Sequence, residues 1–306
     1  MAVTTLLDIA KANGSDAAVG LIEEVLNAFP EVQLGAARTI KGLNFKTLVR
    51  TALPTASFRS ANEGTTPTKS TLENRLVECF ILNPRWECDK AVADAYEDGA
   101  SAYIAMEADG QLRASMITLG SQFYYGNSTG GDAKGHPGLI QMYDSTSLVV
   151  DAGGTTASTG SSVWAVRFGP QAVQWVYGND GQLAVSDVTE QRVLDANSAP
   201  YTAYCQELLA RPGLQVATKY AIGRIKKLTA DSGKGLTDAR ISDLLSKFPV
   251  GHKPDYLFMS RRSLMQLQSS RTATTPTGAP APIPQDSFGV PIVPTDSILD
   301  TESLTL

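Results

Sequence analysis

A chain of 306 residues, 42% hydrophobic and 19% charged, carries enough apolar material for one large or two modest cores, which excludes both a peptide-sized module and a disordered tail. Its 26 Lys and Arg stand against 31 Asp and Glu, a net charge of −5 that provides no general basic field for gripping nucleic acid. Cys79, Cys88 and Cys205 form no C-x-x-C pair, which argues against a disulfide framework or structural zinc and fits a reducing, cytosolic place of synthesis.

The first residues lack the basic and apolar regions of a secretory signal, and no stretch approaches the ~18 uncharged apolar residues that span a bilayer, so a soluble protein is expected. Residues 5–29 carry two amphipathic patterns separated at Asn13-Gly14-Ser15. Ser15 suits the cap of the second, Val19, Ile22, Leu26 and Phe29 its stripe, and Pro30 its end. From Leu43 the pattern is extended, with Phe45, Thr47 and Val49 alternating, and a second alternating run covers residues 71–82. Between them residues 59–69 form a polar tip with Gly64 and Pro67. Such a two-stranded arm buries too little to be stable alone, so another copy of the chain is expected to support it.

After Asn83-Pro84 the spacing of Val92, Tyr96, Gly99, Tyr103 and Met106 predicts a long helix. Its stripe restarts out of phase at Leu112, Met116, Leu119 and Phe123, which predicts a break near Gly110 in an element ~55 Å long. Residues 126–162 read as Gly, Ser and Thr loops around Leu148 to Val150. Strands follow at Trp164, Val166 and Phe168, then across the Gly169-Pro170 turn at Val173, Trp175 and Tyr177, then at 201–209 and 214–225. A helix over 237–248, a strand over 256–259, a Ser260-capped helix to about residue 270, a Pro/Thr/Ala loop over 272–286 and a last strand over 288–294 complete the chain.

Chemistry-bearing constellations are sparse. His136 and His252 lack metal-ligand partners at the required spacing and read as solvent-exposed turn residues. Residues 231–236 superficially resemble a phosphate loop, but Thr229 stands where a glycine is needed, so an exposed turn is expected. The carboxylate pairs Asp94 with Asp98 and Glu107 with Asp109 read as a solvated helix face. Arg224, Lys226 and Lys227 read as a charged strand end. No catalytic, cofactor-binding or metal-binding residue is assigned.

The ribbon over 43–82 after a helical arm resembles the extended loop of the Hong Kong 97-type major capsid proteins of tailed bacteriophages. Asn83-Pro84-Arg85-Trp86 through Tyr125-Gly126 is similar to that family's spine helix. The strand, polar turn and helix over 253–268 and the strand at Phe288-Gly-Val-Pro-Ile-Val293 resemble its C-terminal region. The resemblance implies an α+β Hong Kong 97-like fold: N-terminal arm at 1–42, extended β-hairpin loop at 43–82, spine helix of the peripheral domain at 83–126, and peripheral and axial domains interleaved over 127–306.

It further implies a non-enzymatic coat protein that forms pentamers and hexamers in an icosahedral virion shell, assembled in the host cytoplasm around double-stranded DNA without sequence-specific binding. Its partners would be other copies, scaffolding and portal proteins and a decoration protein, with no cofactor and no membrane. Because the arm begins almost at Met1, a separate scaffolding protein is expected. The loop-tip residues Arg59, Asn62, Glu63, Gly64 and Lys69 are the expected inter-subunit contacts. An encapsulin-like shell holding cargo protein is the alternative within the fold. A cytosolic α+β hydrolase using His252 and Ser260 is the alternative from another class.

Overall fold

The chain enters its core at α1 (Pro30–Leu34), in a computed structural model that describes residues 8, 12–13, 24–181, 184–274 and 279–305. Pro30 starts this helix instead of ending one, because the first turn needs no N–H and suits the fixed φ of proline. Most of the helix expected before it lies outside the described residues, and residues 24–29 take no regular structure.

After β1 (Ala37–Thr39) come β2 (Asn44–Ala52) and β3 (Thr71–Glu78), which pair only with each other, from Asn44 opposite Glu78 to Ala52 opposite Thr71. This is the expected ribbon. β4 (Arg85–Asp89) occupies the place where the helical pattern was expected to begin, because Trp86 and Cys88 alternate inward. Asp89 then caps the single turn α2 (Lys90–Ala93) by accepting from Ala91 N–H at 2.9 Å, and Gly99, at φ 87°, separates this turn from α3 (Ala100–Tyr125). The spacing of Val92, Tyr96, Gly99 and Tyr103 therefore spans separate pieces.

Helix α3 has 26 residues, about 39 Å at ~1.5 Å per residue, and runs through Gly110 without a break, contrary to the sequence expectation. The change of stripe reflects a change of neighbour. Tyr103 packs with Trp86, Cys88 and Ala93, whereas Leu119, Phe123, Tyr124 and Tyr125 enter a second cluster with Trp164 and Trp175. A Cβ at Gly110 would meet nothing within 4 Å, so Gly110→Ala should add about 1 kcal/mol of stability and Gly110→Pro should remove ~3 kcal/mol or more in thermal unfolding. Unchanged stability of the proline variant would contradict a continuous helix.

Gly126, at φ 50°, ends α3, and Gln122 ties the next loop back by donating to His136 O at 2.6 Å and accepting from Asp132 N–H at 2.7 Å. Further along lie α4 (Leu139–Met142), β5 (Val149–Asp151), β6 (Ser161–Val166) and β7 (Val173–Tyr177). β8 (Ala184–Val185), β9 (Thr189–Leu194), β10 (Pro200–Leu209), β11 (Pro212–Val216) and β12 (Ile222–Leu228) follow. Helix α5 (Asp238–Ser246), β13 (Tyr256–Met259), α6 (Arg261–Ala273), β14 (Asp286–Ser287) and β15 (Val290–Pro294) complete the series. Thr237 and Ser260 cap α5 and α6 as expected, accepting from Arg240 and Ser263 N–H.

The central sheet has the order β14-β15-β13-β6-β12-β5. Val163 and Ala165 of β6 face a cluster with Ile241 and Leu244 of α5 and Leu264 and Leu267 of α6, while Trp164 and Val166 face the end of α3. Both faces being covered, every residue of β6 is buried. Strands β6 and β7 do not pair along their length despite the turn between them, since β7 joins β1 and β11. The expected strand over 214–225 divides at Thr218, and β9, which the sequence reading missed, pairs with β10.

Arg224 does not end a charged strand at the surface. It is buried, with its Nη2 3.2 Å from Glu302 Oε2 and its guanidinium 5.0 Å from the Trp164 ring centroid. Ser162 Oγ and Tyr125 Oη donate to the same carboxylate at 2.5 and 2.6 Å, which fastens the C-terminal segment to the central sheet. Burial, and the negative charge of Glu302 beside it, push the Tyr125 hydroxyl far above its ordinary pKa.

Candidate assembly interface

Strand geometry divides the ribbon into two faces. Residues directly opposite share a side, so Phe45 with Val77, Thr47 with Arg75 and Val49 with Glu73 form one face. Much of it is sheltered at the base: Val77 is buried, Phe45, Thr47 and Val49 are half-buried, and the Arg38 guanidinium lies 4.9 Å from the Phe45 ring centroid.

The other face holds Lys46, Leu48, Arg50, Leu72, Asn74 and Leu76. Leu48 is 65% exposed, and Leu72 and Leu76 are each 53% exposed. Three leucines on one side of a free ribbon, flanked by Lys46 and Arg50, make an apolar strip with a positive border. Among the described residues nothing covers it.

The tip beyond is exposed from Thr51 to Lys69. Arg59 Nη1 donates to Glu63 O at 2.8 Å, Ser60 N–H donates to Glu63 Oε2 at 3.3 Å, and Asn62 takes a positive φ of 66°. Gly64 has open space around it, and Lys69 is exposed. Arg59 and Glu63 are thus joined within the tip, whereas Lys69 lies on the returning limb beside Thr68, whose Oγ1 donates to Thr55 O at 3.0 Å. Phe58, beside Arg59, is fully exposed.

A groove lies between α3 and β10. Pro84, Trp86, Ala108, Leu112, Val185 and Leu208 line its volume of about 320 Å³, with Asp109 and Glu207 at its border. The sequence reading missed both this groove and the leucine face. The second carried a signal, since Leu48, Leu72 and Leu76 alternate with the residues of the half-buried face.

Among the described residues no catalytic arrangement forms around the histidines. His136 is buried, contrary to expectation, because its ring meets Trp175 edge-on at 5.6 Å and its Nδ1 lies 2.9 Å from Pro137 O. Burial pushes its pKa down, favouring the neutral ring. His252 is also engaged, accepting at Nδ1 from Arg167 Nη1 at 2.7 Å. It precedes β13, whereas Ser260 follows that strand and donates to Asp300 Oδ1 at 2.6 Å, so the pair of the hydrolase reading is not assembled. Among the described residues no group of three or more His, Cys, Asp or Glu could hold a metal, and no helix is long and apolar enough to cross a membrane.

Residues 37–304 match the family model for Major capsid protein GP7. The chain belongs to this family of major capsid proteins. Among solved structures, a chain of bacteriophage Epsilon15 is 21% identical with a TM-score of 0.77, and the match covers 99% of this chain and 98% of that one. The capsid of Myoviridae phage XM1 matches at 15% identity and a TM-score of 0.50, covering 71% and 97% respectively. No curated protein gives a significant match. The α+β architecture is therefore of the Hong Kong 97-like phage capsid type.

Proposed function

We propose that this capsid protein assembles as pentamers and hexamers into an icosahedral shell around the double-stranded DNA of a tailed phage. The observation that carries this reading is the ribbon, whose leucine face has no partner among the described residues of its own subunit. That face packs into the groove between α3 and β10 of a neighbouring copy, with Lys46 and Arg50 meeting the border formed by Asp109 and Glu207. Arg59, Asn62, Glu63, Gly64 and Lys69 make polar contacts further along that neighbour.

Residues 1–42 act as the arm, 43–82 as the extended loop, 83–126 as the spine segment of the peripheral domain, and 127–306 as the interleaved peripheral and axial domains. The role is structural, without catalysis. Assembly takes place in the host cytoplasm with scaffolding and portal proteins. The net charge of −5 suits an inner wall that encloses DNA without holding it fast.

Particles purified after phage growth test this reading. They should be closed megadalton shells containing nuclease-resistant double-stranded DNA. Shells filled with cargo protein would support the encapsulin-like alternative, and a small globular oligomer would contradict shell formation altogether.

A further inference from the structure

Glu31 is fully buried, and among the described residues no cation pairs with its carboxyl. Gly120 of α3 allows the close approach, since a Cβ there would collide with Glu31 Oε1. Around the carboxyl, Thr295 Oγ1 lies 2.9 Å from Oε2, and Ser297 Oγ donates to Oε1. The same segment is held through its backbone: Ala28 N–H donates to Asp296 Oδ2 at 2.8 Å, Asp296 N–H to Ala28 O at 3.1 Å, and Trp175 Nε1 to Glu31 O at 3.2 Å.

Counting hydrogens shows which protonation state fits. Thr295 has one hydroxyl hydrogen but two acceptors within reach, Glu31 Oε2 and Ala28 O, the latter at 3.3 Å. If Glu31 carries a proton on Oε2, it donates to Thr295 Oγ1 and frees that hydrogen for Ala28 O. Thr295 Oγ1 then accepts from both Glu31 and Ser297 N–H, the latter at 3.1 Å, and the network closes. An ionised Glu31 must compete with Ala28 O for the hydrogen while bearing a buried charge.

We infer that Glu31 is a proton-controlled latch that fastens residues 24–35 to the spine helix and to the segment after β15. This inference stands apart from the ribbon-docking proposal. The titratable groups on the elements packed against it are Tyr124 of α3, whose buried hydroxyl faces the carboxyl, and Asp296, occupied by Ala28 N–H. Desolvation pushes the Glu31 pKa above its ordinary value. The folded value being the higher one, the latch is complete below the ordinary carboxylate range. It weakens as pH rises from there through the folded value.

Hydrogen exchange of the full-length protein, corrected for intrinsic rates, tests the latch. Protection of residues 24–35 should fall about tenfold or more between about pH 4 and about pH 8, while Glu31→Gln, which keeps the shape without the titration, should hold it nearly constant. Protection of β13 serves as the folding control. Wild-type protection that is independent of pH would overturn the latch even if Glu31→Gln failed to fold. The same pH dependence in a folded Glu31→Gln variant would overturn it as well.

Discussion

Leu48→Asp with Leu72→Asp is expected to abolish shell assembly while leaving the subunit folded. Both side chains lie on the open face of the ribbon, 65% and 53% exposed, so aspartate costs little in the isolated chain. In the shell the loss is twofold. Burying a leucine contributes about 1.5–3 kcal/mol, and a carboxylate in the same place would be desolvated without a partner. Under the proposed packing each copy gives one ribbon and receives another, so the penalty recurs at every such contact. Deleting residues 59–69 should weaken assembly less, since the tip is polar and contributes little apolar burial. Size-exclusion chromatography with thermal unfolding separates assembly from folding, and normal shells from the double aspartate variant would exclude this face from the interface.

Arg224→Met should lower stability by about 3–5 kcal/mol. The side chains of Arg224 and Glu302 are 1% and 2% exposed, so the substitution strands a carboxylate in the interior. Ser162 and Tyr125 still donate to it, but neither hydroxyl supplies charge. Arg224 Nε also donates to Ser162 Oγ at 3.0 Å, so removal disturbs the network that orients the remaining donors. Combining Arg224→Met with Glu302→Leu should recover much of the loss, because it removes both charges instead of one. Denaturant unfolding of the two variants measures this difference. A double variant no more stable than Arg224→Met alone would show that packing, and not the unpaired charge, sets the cost.

Locally encoded features were legible in the sequence. Thr237 and Ser260 lie just before their helices, where a side-chain oxygen meets a free N–H, and the ribbon alternates with period two. Features set by distant residues were not. Arg224 finds Glu302 far along the chain, and nothing near position 224 announces a buried partner. His136 sits in a Gly and Pro segment that looks solvent-exposed until Gln122 and Trp175 enclose it. The shift of stripe along α3 is a real signal of changing surroundings, but it reads equally well as a kink. Pro30 shows the same ambiguity, since proline both ends helices and begins them. The ribbon was recognisable as a two-stranded arm, whereas its leucine face required the register that pairs Arg50 with Leu72 and Lys46 with Leu76.

A cryo-electron microscopy reconstruction of the assembled particle is the most direct test. Residues 44–78 should cross onto an adjacent subunit, with Leu48, Leu72 and Leu76 buried beside its Leu112 and Val185. A ribbon folded against its own subunit, or projecting into solvent with those leucines uncovered, would contradict the account.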